Sequence, residues 1–195
     1  MSATKIMIIR HAEKPTTTPP PALNGVTITG AQDHDSLIVR GWQRAGALVA
    51  LFAPSRGSLQ SPELATPQFI YASSTSDVEG NRPEETITPL AQKLGLKPNE
   101  TFAKSQDQQA AASALGCNGV VLISWPHGQI PTLASYIPLS ANNKNSIPSK
   151  WPGNRFDMVF VFDLDTTVAA TGYIFSQVPQ LLLAGDSADP ISSGS

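Results

Sequence analysis

Three short, uninterrupted apolar runs recur along this chain: Lys5–Arg10 (Lys-Ile-Met-Ile-Ile-Arg), Phe69–Ala72 and residues 120–124. A run that is apolar at successive positions, rather than alternating, suits a strand buried on both faces. Helical patterns lie between these runs. Over Val39–Phe52, the residues Trp42, Ala45, Val49 and Phe52 fall at helical spacing, and Pro54 stops the pattern. Over residues 83–94, Ile87, Leu90, Ala91 and Leu94 form one stripe. It opens with Pro83, Glu84 and Glu85, which suit a first turn, and closes at Gly95. Pro89 inside that stripe is expected to kink the helix or delay its start to Thr88. Ser105-Gln106-Asp107-Gln108 resembles a capping box ahead of an alanine-rich helix that ends near Gly116. A further helix is expected after Gly128, carrying Leu133 and Ile137. Strands alternating with helices predict an α/β fold, a three-layer sandwich with a mostly parallel central sheet and helices on both faces. Residues 156–164 and 172–176 read as two later strands joined across Asp165-Thr166-Thr167, a hairpin at a sheet edge.

At 195 residues the chain can bury a sizeable core, and no linker or repeat divides it. Residues 1–186 are therefore expected to form a single domain, and residues 187–195 a flexible tail. An apolar content of 41% with 14% charge excludes a disordered chain. The net charge of −2, without a basic stripe, excludes a general nucleic-acid binder. Cys117 stands alone, so no disulfide framework and no thiolate metal site is available. With no signal-peptide pattern and no run of membrane-spanning length, a cytoplasmic location and no membrane partner are expected. Residues 15–36 and 138–152 are too long for simple connectors and are expected to shape specificity.

Two of the apolar runs lead into histidines. The first ends in Arg10-His11, and the third continues into Trp125-Pro126-His127-Gly128-Gln129. In parallel α/β sheets, ligands sit beyond the carboxyl ends of the strands. Arg82, just ahead of the second helical pattern, can lean over the same edge. Two guanidiniums can clamp the oxygens of a phosphoryl group through paired, charge-assisted hydrogen bonds. A neutral imidazole between them can attack phosphorus in line, and water can cleave the resulting phosphohistidine. A second histidine can donate to the developing charge. Helix N-termini after Arg82 and Gly128 would add backbone donors. By contrast, His34 between Asp33 and Asp35 reads as surface decoration, Arg40 and Arg44 as solvated or salt-bridged, and Trp42 as core. Trp151-Pro152-Gly153-Asn154-Arg155 reads either as a packed corner or as one wall of a substrate mouth.

These blocks resemble the histidine phosphatase superfamily, the phosphoglycerate-mutase-like enzymes, and are closer to its first branch. The family's Arg-His-Gly stands here as Arg10-His11-Ala12. Its Leu-Thr-x-x-Gly-x-x-Arg-Ala segment is similar to Leu37-Ile38-Val39-Arg40-Gly41-Trp42-Gln43-Arg44-Ala45. Its Ser-x(n)-Arg-x-x-x-Thr block is similar to Ser73-Ser74 followed by Arg82-Pro83-Glu84-Glu85-Thr86, and its late strand ending in His-Gly to the run that closes with His127-Gly128. The blocks keep the family's order from residue 5 to about residue 137. The resemblance implies that His11 is the phosphorylated nucleophile and that Arg10, Arg82 and His127 complete the phosphate pocket. It implies no metal and no cofactor, and a small phosphorylated substrate or a phosphoprotein. Two departures bear on this. Ala12 replaces a glycine, and Gly128-Gln129 after His127 omits the second branch's acid. First-branch enzymes supply the general acid from between the second arginine and second histidine, where Asp107 is available and Glu100 is more remote; Glu13 is the alternative. A non-catalytic phospholigand-binding module is the competing reading. A phosphomutase is a weaker one, because such enzymes carry longer capping insertions. The oligomeric state stays open, the edge hairpin being a surface through which subunits could pair.

Overall fold

The computed structural model describes residues 2–75, 80–167 and 171–192. Strands β1 (Lys5–Arg10), β2 (Phe69–Ala72), β3 (Val120–Trp125), β4 (Met158–Leu164) and β5 (Tyr173–Pro179) form a sheet of order β2-β3-β1-β4-β5. Both β1 and β2 run parallel to β3, whereas β4 is antiparallel to β1 and to β5, so β4 alone reverses. Helices α1 (Val39–Phe52), α2 (Arg82–Leu94), α3 (Asp107–Leu115) and α4 (Ile130–Ser135) occupy the connections. The architecture is the α/β sandwich expected from the alternation of patterns.

β1 shows why its sequence is apolar throughout. Ile6 and Ile8 pack with Ala110 and Ala114 of α3 and Leu133 of α4. Met7 and Ile9, pointing the other way, pack with Leu48 and Leu51 of α1 and Ile87 and Leu90 of α2. Register pairs Arg10 with Trp125, so the first Arg-His pair leaves the sheet beside the segment leading to His127.

Some local expectations are corrected. α2 begins at Arg82 and passes through Pro89 without interruption. Pro89 removes a single donor, to Glu85, while Ile87 and Leu90 on either side stay fully buried and anchor the helix. The capping box does not form: α3 starts at Asp107, and Gln106 Oε1 accepts from the Ala103 N–H at 2.9 Å. Trp42 is half-buried rather than core, its indole N–H donating to the Val26 carbonyl at 2.8 Å. β4 starts at Met158, because Phe156 and Asp157 turn to other partners described below.

The outer edge of β5 is occupied at Tyr173 and Phe175. The Phe175 N–H donates to Asn143 Oδ1 at 2.9 Å, and its carbonyl accepts from Asn145 Nδ2 at 2.7 Å. Tyr173 pairs with Pro138 and Ser140 through its backbone. Loop side chains thus use the groups through which an edge strand would recruit a second subunit. The carboxyl-terminal residues, read from sequence as a flexible tail, dock along the same region. The Ser187 N–H donates to Asp157 Oδ2 at 2.7 Å, and Gln177 holds both the N–H and carbonyl of Ile191, at 2.9 and 3.0 Å. Ile191 is buried against the core; residues 193–195 lie outside the described residues. Among the described residues no helix is long and apolar enough to cross a membrane.

Candidate active site

At the carboxyl edge of the sheet the chain leaves β1 through His11 and Ala12, and Ala12 is fastened to α2. The Ala12 N–H donates to Thr86 Oγ1 at 2.8 Å, and the same hydroxyl donates to the Arg82 carbonyl at 2.7 Å. One buried threonine on α2 thereby fixes the residue after His11 relative to the helix turn that presents Arg82. Gly41 on α1 allows a second close approach, because a Cβ there would lie 2.5 Å from the Glu13 carbonyl oxygen. Ala12 causes no strain, since its backbone does not enter the left-handed region. Thr86→Val keeps the shape but strands a buried N–H and is expected to cost about 1–3 kcal/mol, read as a shift in urea midpoint. An unchanged midpoint would show that Ala12 is held by other means.

His11 is fully buried, and its Nδ1 faces the Ala12 carbonyl at 2.8 Å. A carbonyl only accepts, so Nδ1 carries the proton and the neutral ring keeps its lone pair on Nε2. Burial, then the charge of Arg10, push the imidazole pKa well below its ordinary 6.5; Arg82 and Lys14 act in the same direction, against the Ala12 bond. Arg10 is buried as well. Its Nη1 donates to the carbonyls of Gly153 at 2.7 Å and Arg155 at 3.0 Å, and its guanidinium carbon lies 3.6 Å from the centroid of the Phe156 ring. The same ring meets His11 edge-on, with centroids 6.3 Å apart. Arg82, largely buried, stands 4.0 Å from the exposed Asp35 carboxylate. His127 is half-buried beside Gly153, where an added Cβ would lie 3.8 Å from its Nε2. Arg10, His11, Arg82 and His127 therefore gather at one edge of the sheet.

The backbone donors expected after Gly128 are not available as such. The N–H groups of Gln129 and Ile130 both turn back to the Pro126 carbonyl, at 2.9 and 3.2 Å. The two acid candidates differ sharply. Glu13 is drawn away into a buried ion cluster: Arg44 donates to its Oε1 at 2.9 Å and to Oε2 at 3.1 Å, and Arg40 adds a bond at 3.3 Å. Arg44 also holds Asp186 at 2.7 and 3.0 Å and Gln180 at 3.0 Å. Although burial opposes its charge, the hydrogen bonds from Arg44 to Asp186 and Glu13 stabilise it further. Asp107, the first residue of α3, is buried and accepts from the Trp125 indole at 2.8 Å. Burial raises its pKa, partly offset by the Trp125 bond. Asp107 stands beside Trp125, the register partner of Arg10.

Three participants were not singled out as site residues in the sequence. Thr86 sits inside a quoted block without a role, and Asp186 lies in a segment with no periodicity. Phe156 reads as the first residue of a strand. Its signal was indirect, in following the loop 151–155 that read as a possible wall.

The chain matches no protein-family model, and no curated protein is similar to it in sequence. Among solved structures it is similar to the protein histidine phosphatase SixA complexed with tungstate, at 12% identity and a TM-score of 0.43, over 88% of this chain and 95% of that one.

Proposed function

We propose that this protein is a metal-independent phosphohydrolase that works through a phosphohistidine on His11. The observation that carries the reading is the buried, neutral His11, with its proton on Nδ1 at the Ala12 carbonyl and its unprotonated Nε2 in the field of Arg10 and Arg82. In the first step Nε2 attacks phosphorus, the bond from phosphorus to the leaving oxygen breaks, and that oxygen takes a proton. In the second, water attacks the phosphohistidine, releases orthophosphate and restores the neutral imidazole. Arg10 and Arg82 hold the phosphoryl oxygens, and His127 donates to the charge that develops on them. Asp107 is the better assignment for the acid, because Glu13 is committed to Arg44.

The test is hydrolysis of p-nitrophenyl phosphate by the native protein and by His11→Ala across acidic to neutral pH. The native protein is expected to turn over, also after EDTA treatment, and the variant to fall to background. Since kcat/KM reports ionisations of the free enzyme and His11 stays neutral well below pH 6.5, no loss of activity is expected as pH falls through 6.5. A half-loss at or above 6.5 would contradict the buried, desolvated nucleophile. Phosphate binding without turnover would favour the binding-module reading.

A further inference from the structure

We propose that Phe156 is a positioning residue for the phosphate pocket, aiming the Arg10 guanidinium and walling His11 from water. The inference rests on the phosphohistidine reading and adds a residue to it.

Arginine has five donors on a planar fork, and its use as a phosphate clamp depends on which edge faces the ligand. Here Nη1 is committed to two backbone carbonyls, those of Gly153 and Arg155. The ring of Phe156 lies against the guanidinium with 3.6 Å between its centroid and Cζ, a contact in which the ring face attracts the cation. Two fixed acceptors on one edge and one flat ring against the plane leave the fork little rotational freedom. Its remaining edge is therefore held in a single orientation at the end of β1.

The loop that does this is itself braced. The Trp151 indole N–H donates to the same Arg155 carbonyl at 2.9 Å, and its ring packs on Phe160 in the core, centroids 4.7 Å apart. Arg155 pairs with Asp157 at 2.6 Å and donates to the Asp189 carbonyl at 2.8 Å, and Asp157 also accepts from Ser187. The docked carboxyl-terminal residues thus hold the loop, the loop holds Arg10, and Phe156 is the member of it that touches both Arg10 and His11.

The experiment compares native protein, Phe156→Leu and Phe156→Tyr by calorimetric titration with orthovanadate, and by kcat and KM for p-nitrophenyl phosphate. Leucine keeps apolar bulk but has no π face; tyrosine keeps the face. Phe156→Leu is expected to bind vanadate about tenfold more weakly and to raise KM more than it lowers kcat, with Phe156→Tyr within about twofold of native. The Arg10 Nε–H resonance should lose its ring-current shift in the leucine variant only. Vanadate binding by Phe156→Leu equal to native overturns the inference, as does equal weakening by leucine and tyrosine. Absence of binding and turnover in the native protein instead overturns the phosphohistidine reading beneath it.

Discussion

Arg82→Ala is expected to lose about 10²–10³-fold in kcat/KM for p-nitrophenyl phosphate, the effect of removing one well-placed donor from a developing oxyanion. The fold should survive. Arg82 opens α2, where its carbonyl, not its side chain, makes the structural bond to Thr86. Its ion pair with the exposed Asp35, at 4.0 Å, is of a kind that contributes about 0–1 kcal/mol. Arg82→Lys retains charge but cannot bond two oxygens in parallel, so it should recover only part of the loss. Removing Arg82 also removes one of the charges that depress the His11 pKa, although burial and Arg10 remain the larger causes. Turnover within about threefold of native in Arg82→Ala would take this arginine out of the pocket, given the magnitude expected for a phosphate donor.

Arg44→Met is expected to act on stability instead. The substitution leaves the carboxylates of Glu13 and Asp186 buried opposite an apolar side chain, with 9% and 4% side-chain exposure. Breaking a buried pair in this way costs about 3–5 kcal/mol, much more than a surface ion pair. Equilibrium urea denaturation measures it, as a lower midpoint at unchanged slope. The cluster joins α1 to Glu13, two residues beyond the proposed nucleophile, and to the segment that carries Gln180 and Asp186. A loss below about 1 kcal/mol would mean that the cluster is no better than an exposed pair.

The sheet and its order of helices were legible because burial on both faces leaves an unmistakable mark: Ile6, Met7, Ile8 and Ile9 must all be apolar when two helix layers cover the strand. α1 was legible to the residue because Pro54 and the spacing of its stripe bound it. That Arg10, His11 and His127 share an edge was readable from the strand ends, and Arg82 from its place just ahead of the second helical pattern. What was not legible depends on polar side chains that satisfy distant backbone groups. Asn143 and Asn145 capping β5, Gln177 holding Ile191, and Asp157 holding Ser187 have no periodicity to betray them. For the same reason the carboxyl-terminal residues looked free. Arg44 sits at a helical position where an ion pair was readable, but not that its partners would be buried. Glu13 looked like a candidate acid by its distance along the chain, and the structure turns it toward Arg44.

The most direct test of the central claim is to trap the intermediate. Native protein is mixed with p-nitrophenyl phosphate, quenched in alkali within the turnover time, digested, and its peptides read by mass spectrometry. A phosphoryl group on His11, absent from His11→Ala, is the predicted result. Continued turnover with no phosphohistidine, or with phosphate on another residue, would contradict it.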